Sequence, residues 1–137
     1  MFGDFRILRD RRILIVDDFV QITSLLDEIF TRCGATVVTA NSGRQALGAL
    51  QDEEFDLVIL DLVMPAPNGW DVLRFMRCNR AEMLGRTILL TGDRYHNTLL
   101  RDLSETEVCV VFKPFNLRLL RASACKLIQR ALPLGAA

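Results

Sequence analysis

Lysine is nearly missing from this 137-residue chain. Lys113 and Lys126 are the two present, so arginine supplies the rest of the 17 basic side chains, and 17 acidic ones cancel them to a formal net charge of zero. A balanced chain has no overall attraction to nucleic acid or anionic lipid, which would need a basic excess or a clustered basic stripe. Histidine occurs once, at His96, and the four cysteines, Cys33, Cys78, Cys109 and Cys125, show no CxxC spacing. A Cys/His zinc site is thereby excluded, and free thiols used as buried filler are expected. No apolar run approaches the roughly 20 residues that cross a bilayer. The opening MFGDFRILRDRR breaks its apolar positions with charges and lacks the continuous core of a secretory signal. No membrane association and a cytoplasmic location are therefore expected.

What is present is enough for one folded domain: half the residues are hydrophobic and a quarter are charged. Five short aliphatic runs, Ile13 to Val16, Thr36 to Thr39, Leu57 to Leu60, Thr87 to Leu90 and Val108 to Phe112, alternate with stretches of helical period. That alternation predicts a parallel sheet with crossover helices. Ile22, Leu25, Leu26 and Ile29 mark a first helix closed by Gly34. Ala46, Leu47 and Leu50 mark a second, started by Asn41 or Ser42, and Val72, Leu73 and Met76 a third after Asn68-Gly69. Leu99, Leu100 and Leu103 indicate a fourth. Leu117, Leu120, Ala124, Leu127, Ile128 and Ala131 give the last, stopped by Pro133. The expectation is an α/β (βα)5 unit over residues 12–132, with an N-terminal lead at 1–11 and a tail at 133–137 too short to be an output domain.

Open α/β sheets bind ligands beyond the carboxyl ends of their strands. Reading just past each run gives Asp17-Asp18, Ala40-Asn41, Asp61, Thr91 and Lys113-Pro114, so three carboxylates, a hydroxyl and an ammonium converge from four segments. Grouped carboxylates repel, by about 4 kcal/mol for a pair 4 Å apart at an effective dielectric of about 20. One lysine offsets only part of that. An all-oxygen set suits a hard cation, Mg2+ or Mn2+ rather than Ca2+, completed by water and phosphate. The first turn, VDDFVQ, has no glycine and two negative charges, which excludes a dinucleotide-binding GxGxxG turn.

The ordered set of Asp17-Asp18, the segment DLVMPAPNG from Asp61 to Gly69, Thr91, and Lys113-Pro114-Phe115 resembles the receiver domain of two-component response regulators, of the single-domain, chemotaxis-regulator-like kind. The resemblance runs from about Arg12 to Ala131. It implies a flavodoxin-like three-layer sandwich with sheet order 2-1-3-4-5, and a signalling protein rather than an enzyme. It implies that Asp61 accepts a phosphoryl group from a sensor histidine kinase or phosphotransfer protein in a Mg2+-dependent reaction. Asp18, Asp61 and the Val63 carbonyl would hold the metal, with Asp17 acting through water. Lys113 would pair with Asp61 at rest and with a phosphoryl oxygen afterwards. Thr91 would donate to another oxygen, and Gly92 would leave the approach open. Phosphorylation would shift a conformational population at the face of the fourth helix, fifth strand and last helix, where a downstream protein target binds; no direct nucleic acid binding is implied.

Two positions depart from that pattern. Val110 stands three residues before the lysine where the family carries Tyr or Phe, and apolar Val63 stands two after Asp61, where a polar side chain would influence hydrolytic water. Slow self-dephosphorylation is expected. Two alternatives accompany this reading: a phosphorylation-independent adaptor that has lost the aromatic relay, and a haloacid-dehalogenase-type phosphohydrolase. The second has its acidic pair late in the chain, whereas here the pair comes first. Met64 and Trp70 are read as packing residues and Lys126 as solvated. Tyr95 and His96 are candidates for a partner surface. The arginines are read as dispersed surface charge, with Arg94, Arg101, Arg118 and Arg121 able to cluster on the output face.

Overall fold

The computed structural model describes residues 5–92 and 107–132. Strands β1 (Arg12–Val16), β2 (Thr36–Ala40), β3 (Leu57–Asp61), β4 (Thr87–Thr91) and β5 (Cys109–Phe112) form one sheet in the order β2-β1-β3-β4-β5. Every pairing is parallel. Helices α1 (Val20–Arg32), α2 (Gly43–Asp52), α3 (Gly69–Asn79) and α4 (Leu117–Ala131) connect or follow the strands. Short 3-10 segments lie at Arg6–Leu8 and Ala81–Arg86. The helix expected around Leu99 to Leu103 lies outside the described residues, so α4 here is the helix that the sequence puts last.

Successive strand residues face opposite sides, and both sides are apolar, as a sheet covered on each face requires. Leu14, Val16, Val58, Leu60 and Leu89 pack with Ala46 and Leu50 of α2 and Val72, Leu73 and Met76 of α3. Ile13, Ile15, Leu57, Ile59, Ile88 and Leu90 pack with Leu26 and Phe30 of α1 and Leu120, Ala124, Leu127 and Ile128 of α4. The central strand β3 is buried from end to end.

Local chemistry sets the helix starts. Ser42 caps α2 by accepting from the Gln45 amide, and Asn68 caps α3 in a reciprocal box with Asp71. Gly34, at φ 92°, takes the left-handed turn after α1 that a side chain would disfavour.

Some expectations need correction. The buried face of α1 is Thr23, Leu26 and Phe30, whereas Leu25 is exposed. Thr23 can go inside because its hydroxyl donates to the Val20 carbonyl at 3.1 Å. Ala131 is exposed at the frayed end of α4, Cys78 is exposed rather than buried filler, and Trp70 is among the exposed large hydrophobic residues. The strand runs are each right to within one residue. Within the lead, Leu8 is fully buried in the α1/α4 side of the core.

Two glycines allow the loop after β3 to close tightly. A Cβ on Gly69 would lie 2.4 Å from the Asp61 carbonyl oxygen and 2.5 Å from Leu62 Cα, and one on Gly43 would lie 1.9 Å from the Pro67 carbonyl oxygen. The contacts are with backbone, which cannot swing away as a long side chain would. Gly69→Ala is therefore expected to lower the urea unfolding free energy by roughly 1–3 kcal/mol by overpacking. An unchanged unfolding midpoint would contradict the close approach.

Candidate functional site

The site is assembled by strand register. Asp61 ends β3 opposite Leu90 of β4, so Thr91 stands one residue further along at the same sheet edge. Thr91 in turn is registered with Phe112, and its carbonyl accepts from the Lys113 amide at 2.8 Å. Asp17 follows β1, with its amide donating to the Ala40 carbonyl at 3.1 Å. Asp17, Asp18 and Asp61 each offer a carboxylate oxygen within 4.8 Å of the other two. Asp17 and Asp61 are buried and Asp18 is exposed.

Hydrogen bonds hold this crowded group. Asp17 Oδ1 accepts from the Phe19 amide at 2.9 Å, and Asp61 Oδ1 from the Val63 amide at 3.1 Å. Lys113 Nζ donates to Asp17 Oδ2 at 3.1 Å and lies 3.7 Å from Asp61 Oδ2. The resting lysine thus bridges two carboxylates and is nearer to Asp17, a refinement of the expected pairing with Asp61 alone. The Lys113-Pro114 bond is cis. Thr91 is fully buried, and among the described residues a Cβ on Gly92 would meet only Lys113 Cβ, at 3.8 Å. Val63 directs an exposed apolar side chain to the rim, where Phe19 and Val20 are exposed too.

Asn41, which the sequence offers as a strand end or helix start, ties two loops together. Its Nδ2 donates to the Asp17 carbonyl at 3.0 Å and to Thr23 Oγ1 at 2.9 Å. An Asn at a strand end signals only a local turn or cap, so these long-range partners were not readable. Tyr95, His96, Arg94 and Arg101 lie outside the described residues. Arg118 is exposed, while Arg121 is turned onto the Phe5 ring, 4.7 Å from its centroid.

Burial pushes the Asp61 carboxyl up to about 6, and the nearby charges of Asp17 and Asp18 push the same way; the Val63 amide and Lys113 pull it down. A donor set of three carboxylates, one of them reluctant to ionise alone, fits a hard divalent cation of the Mg2+ or Mn2+ class. Since the folded pKa lies above the unfolded value, folding favours protonated Asp61. That contribution is complete below about pH 4 and is lost as pH rises through about 6. Asp61→Asn is therefore expected to be more stable than the parent at pH 7.5 in EDTA, by up to about 3 kcal/mol. Urea unfolding should show the gap shrinking towards pH 4, and a gap independent of pH would contradict the burial of this charge.

The sequence profile of the response regulator receiver domain matches residues 13–124. The transcriptional regulatory protein CpxR of Klebsiella pneumoniae is 37% identical over 122 residues, 88% of this chain and 50% of that protein. The alkaline phosphatase synthesis transcriptional regulatory protein PhoP of Bacillus subtilis is 28% identical over 124 residues, 89% of this chain and 50% of that protein. This chain thus spans about half the length of these curated relatives. Among solved structures, the response regulator TrrA from Thermotoga maritima, in complex with Mg2+-BeF, superimposes with a TM-score of 0.74 at 33% identity, covering 85% of this chain and 98% of that one. With the sheet order and the polar strand ends already in place, the chain belongs to the response regulator receiver domain family, a module of phosphorelay signalling.

Proposed function

We propose that Asp61 is the phosphoacceptor of this receiver domain. The observation that carries the reading is the convergence of Asp17, Asp18 and Asp61 on one space with Lys113 beside them. An Asp61 carboxylate oxygen forms a bond to phosphorus while the donor's phosphorus–nitrogen bond breaks, its electron pair staying on the imidazole. Asp18, Asp61 and the Val63 carbonyl would hold Mg2+ or Mn2+, with Asp17 behind a water. The metal supplies charge neutralisation for the incoming phosphoryl oxygens, as the Mg2+-BeF complex of TrrA suggests by analogy.

The chain's own residues do the rest. The Val63 amide holds one Asp61 oxygen, which orients the carboxylate. Lys113 turns from its two carboxylates to a phosphoryl oxygen; its compact ammonium on a flexible stem suits that move better than a planar guanidinium. The Thr91 hydroxyl donates to a second oxygen, and the added charge favours states that draw the β4 end towards Asp61. The phosphodonor is a sensor histidine kinase or a phosphotransfer protein, and the downstream target is a protein that distinguishes the two states. Among the described residues no helix is long and apolar enough to cross a membrane.

The adaptor reading has one observation in its favour. Val110 is only partly buried and packs against the α2/α3 side of the core, so no aromatic ring at that position couples β5 to Thr91.

Incubation with acetyl phosphate and Mg2+ should add one phosphoryl mass to the parent and none to Asp61→Asn, with Lys113→Ala strongly slowed. No gain in the parent would favour the adaptor. Exposed, apolar Val63 cannot orient water, so the phosphorylated form should persist for minutes or longer after donor removal. Loss within seconds would show that water is activated by another group.

A further inference from the structure

At the opposite end of the strands the lead builds a cleft that phosphoryl transfer does not use. In the 3-10 turn Arg6–Leu8, residues three apart share a face. With Leu8 fully buried, Arg6 and Arg9 stand side by side. Together with Phe5, Cys33 and Arg32, the last residue of α1, they line a cleft of about 290 Å3.

The cleft is held in shape. Arg9 lies against Gly34, where a Cβ would come within 3.3 Å of both Arg9 Cα and Cγ, and the Asp10 amide donates to the Gly34 carbonyl at 2.9 Å. Phe5 packs on the α1/α4 core and carries the Arg121 guanidinium on its ring. Arg121 Nε is buried with no hydrogen-bond partner among the described residues.

The charged side chains that line the cleft are all arginines. Among the described residues, Arg32 pairs with Glu28 at 2.6 Å, a largely exposed pair of the kind that contributes little, and Arg9 has no ion pair. Asp10 is next in the chain but does not line the cleft. In the last turn of α1 the Phe30 and Thr31 carbonyls already accept from the Cys33, Gly34 and Ala35 amides.

We propose that this cleft is a second ligand site, for a small phosphate-class oxyanion. Guanidinium forks match phosphate oxygens in pairs. A carboxylate has two oxygens and satisfies a single fork, whereas a phosphate ester or diphosphate has enough for Arg9 and Arg32 together. The volume is at the lower bound for small-molecule pockets, which suits a diphosphate or a phosphate headgroup rather than a dinucleotide. The 13 residues of α1 span about 20 Å. Occupancy here therefore leaves Asp61 unobstructed, and the site stands whether or not Asp61 is the phosphoacceptor.

The test is a titration of the full labelled chain with sodium pyrophosphate in EDTA at low salt, followed by amide NMR. Saturable shifts confined to residues 5–10 and 31–35 are expected, with affinity weakened at least about tenfold in the Arg9→Gln/Arg32→Gln variant. The Arg9→Lys/Arg32→Lys variant keeps both charges and the packed stems, and should bind several-fold more weakly than the parent because it lacks the forks. Asp61→Asn should bind like the parent. Flotation with phosphatidylglycerol vesicles, against phosphatidylcholine vesicles, separates the sources. Capture that Arg9→Gln/Arg32→Gln abolishes identifies a lipid headgroup, and pyrophosphate binding without capture identifies a soluble phosphate. Shifts that do not saturate, that spread over the other arginines, or that survive loss of both Arg9 and Arg32 would overturn the site.

Discussion

Lys113 lies 3.1 Å from Asp17 and 3.7 Å from Asp61, and this shared ammonium is what lets two buried carboxylates and their exposed neighbour Asp18 occupy one edge of the sheet. Its compensation is incomplete, since Asp61 still prefers its proton up to about 6. The surrounding structure holds the group together against that repulsion. Register fixes Asp61 at the end of a wholly buried strand, amides from Phe19 and Val63 grip one oxygen each on Asp17 and Asp61, and Asn41 ties the first loop to the second strand. The result is a site short of positive charge, a shortage that a divalent cation would answer.

The close packing beneath the site follows from the same need. Asp61 must be held still although its own electrostatics are unfavourable, so the loop after β3 is clamped by backbone contacts at Gly69 and Gly43 and by the capping box at Asn68. The two glycine contacts involve no charge, and the capping box adds the Asp71 carboxylate accepting from the Asn68 amide. They transfer the cost of the acidic cluster to the apolar layers on both faces of the sheet, where burial is worth roughly 25 cal/mol per Å2 of apolar surface.

Much of this was legible in the sequence, for a physical reason. Parallel strands covered on both faces must be apolar runs, and the first polar residue after a run marks the edge where such sheets bind ligands; Asp17, Asp61, Thr91 and Lys113 stand at those positions. What escaped were features decided by tertiary partners. Thr23 looks like a surface residue until its hydroxyl is seen bonded to the Val20 carbonyl, and Leu25 looks buried because it shares the helical period. Asn41 looks like a turn. Leu8 sits among charged neighbours that conceal its burial, so the lead reads as outside the folded unit. Glycine in NSG and in PNG signals a turn, but not that a particular carbonyl will lie against it.

A net charge of zero conceals a separation along the strand axis. The carboxyl ends gather Asp17, Asp18 and Asp61 around one lysine. At the amino ends, ion pairs of Arg12 with Glu53 and of Arg80 with Glu54 and Glu82 cancel much of the local charge. The side built by the lead is different, because Arg6, Arg9 and Arg32 line one cleft there. Composition sums over both ends and therefore reports neither. Helix α1 begins in the acidic loop, where Phe19 is its N-cap, and ends at Arg32 in the basic cleft. One rigid element thus joins a site that needs cations to one that needs anions, and they share no charged residue.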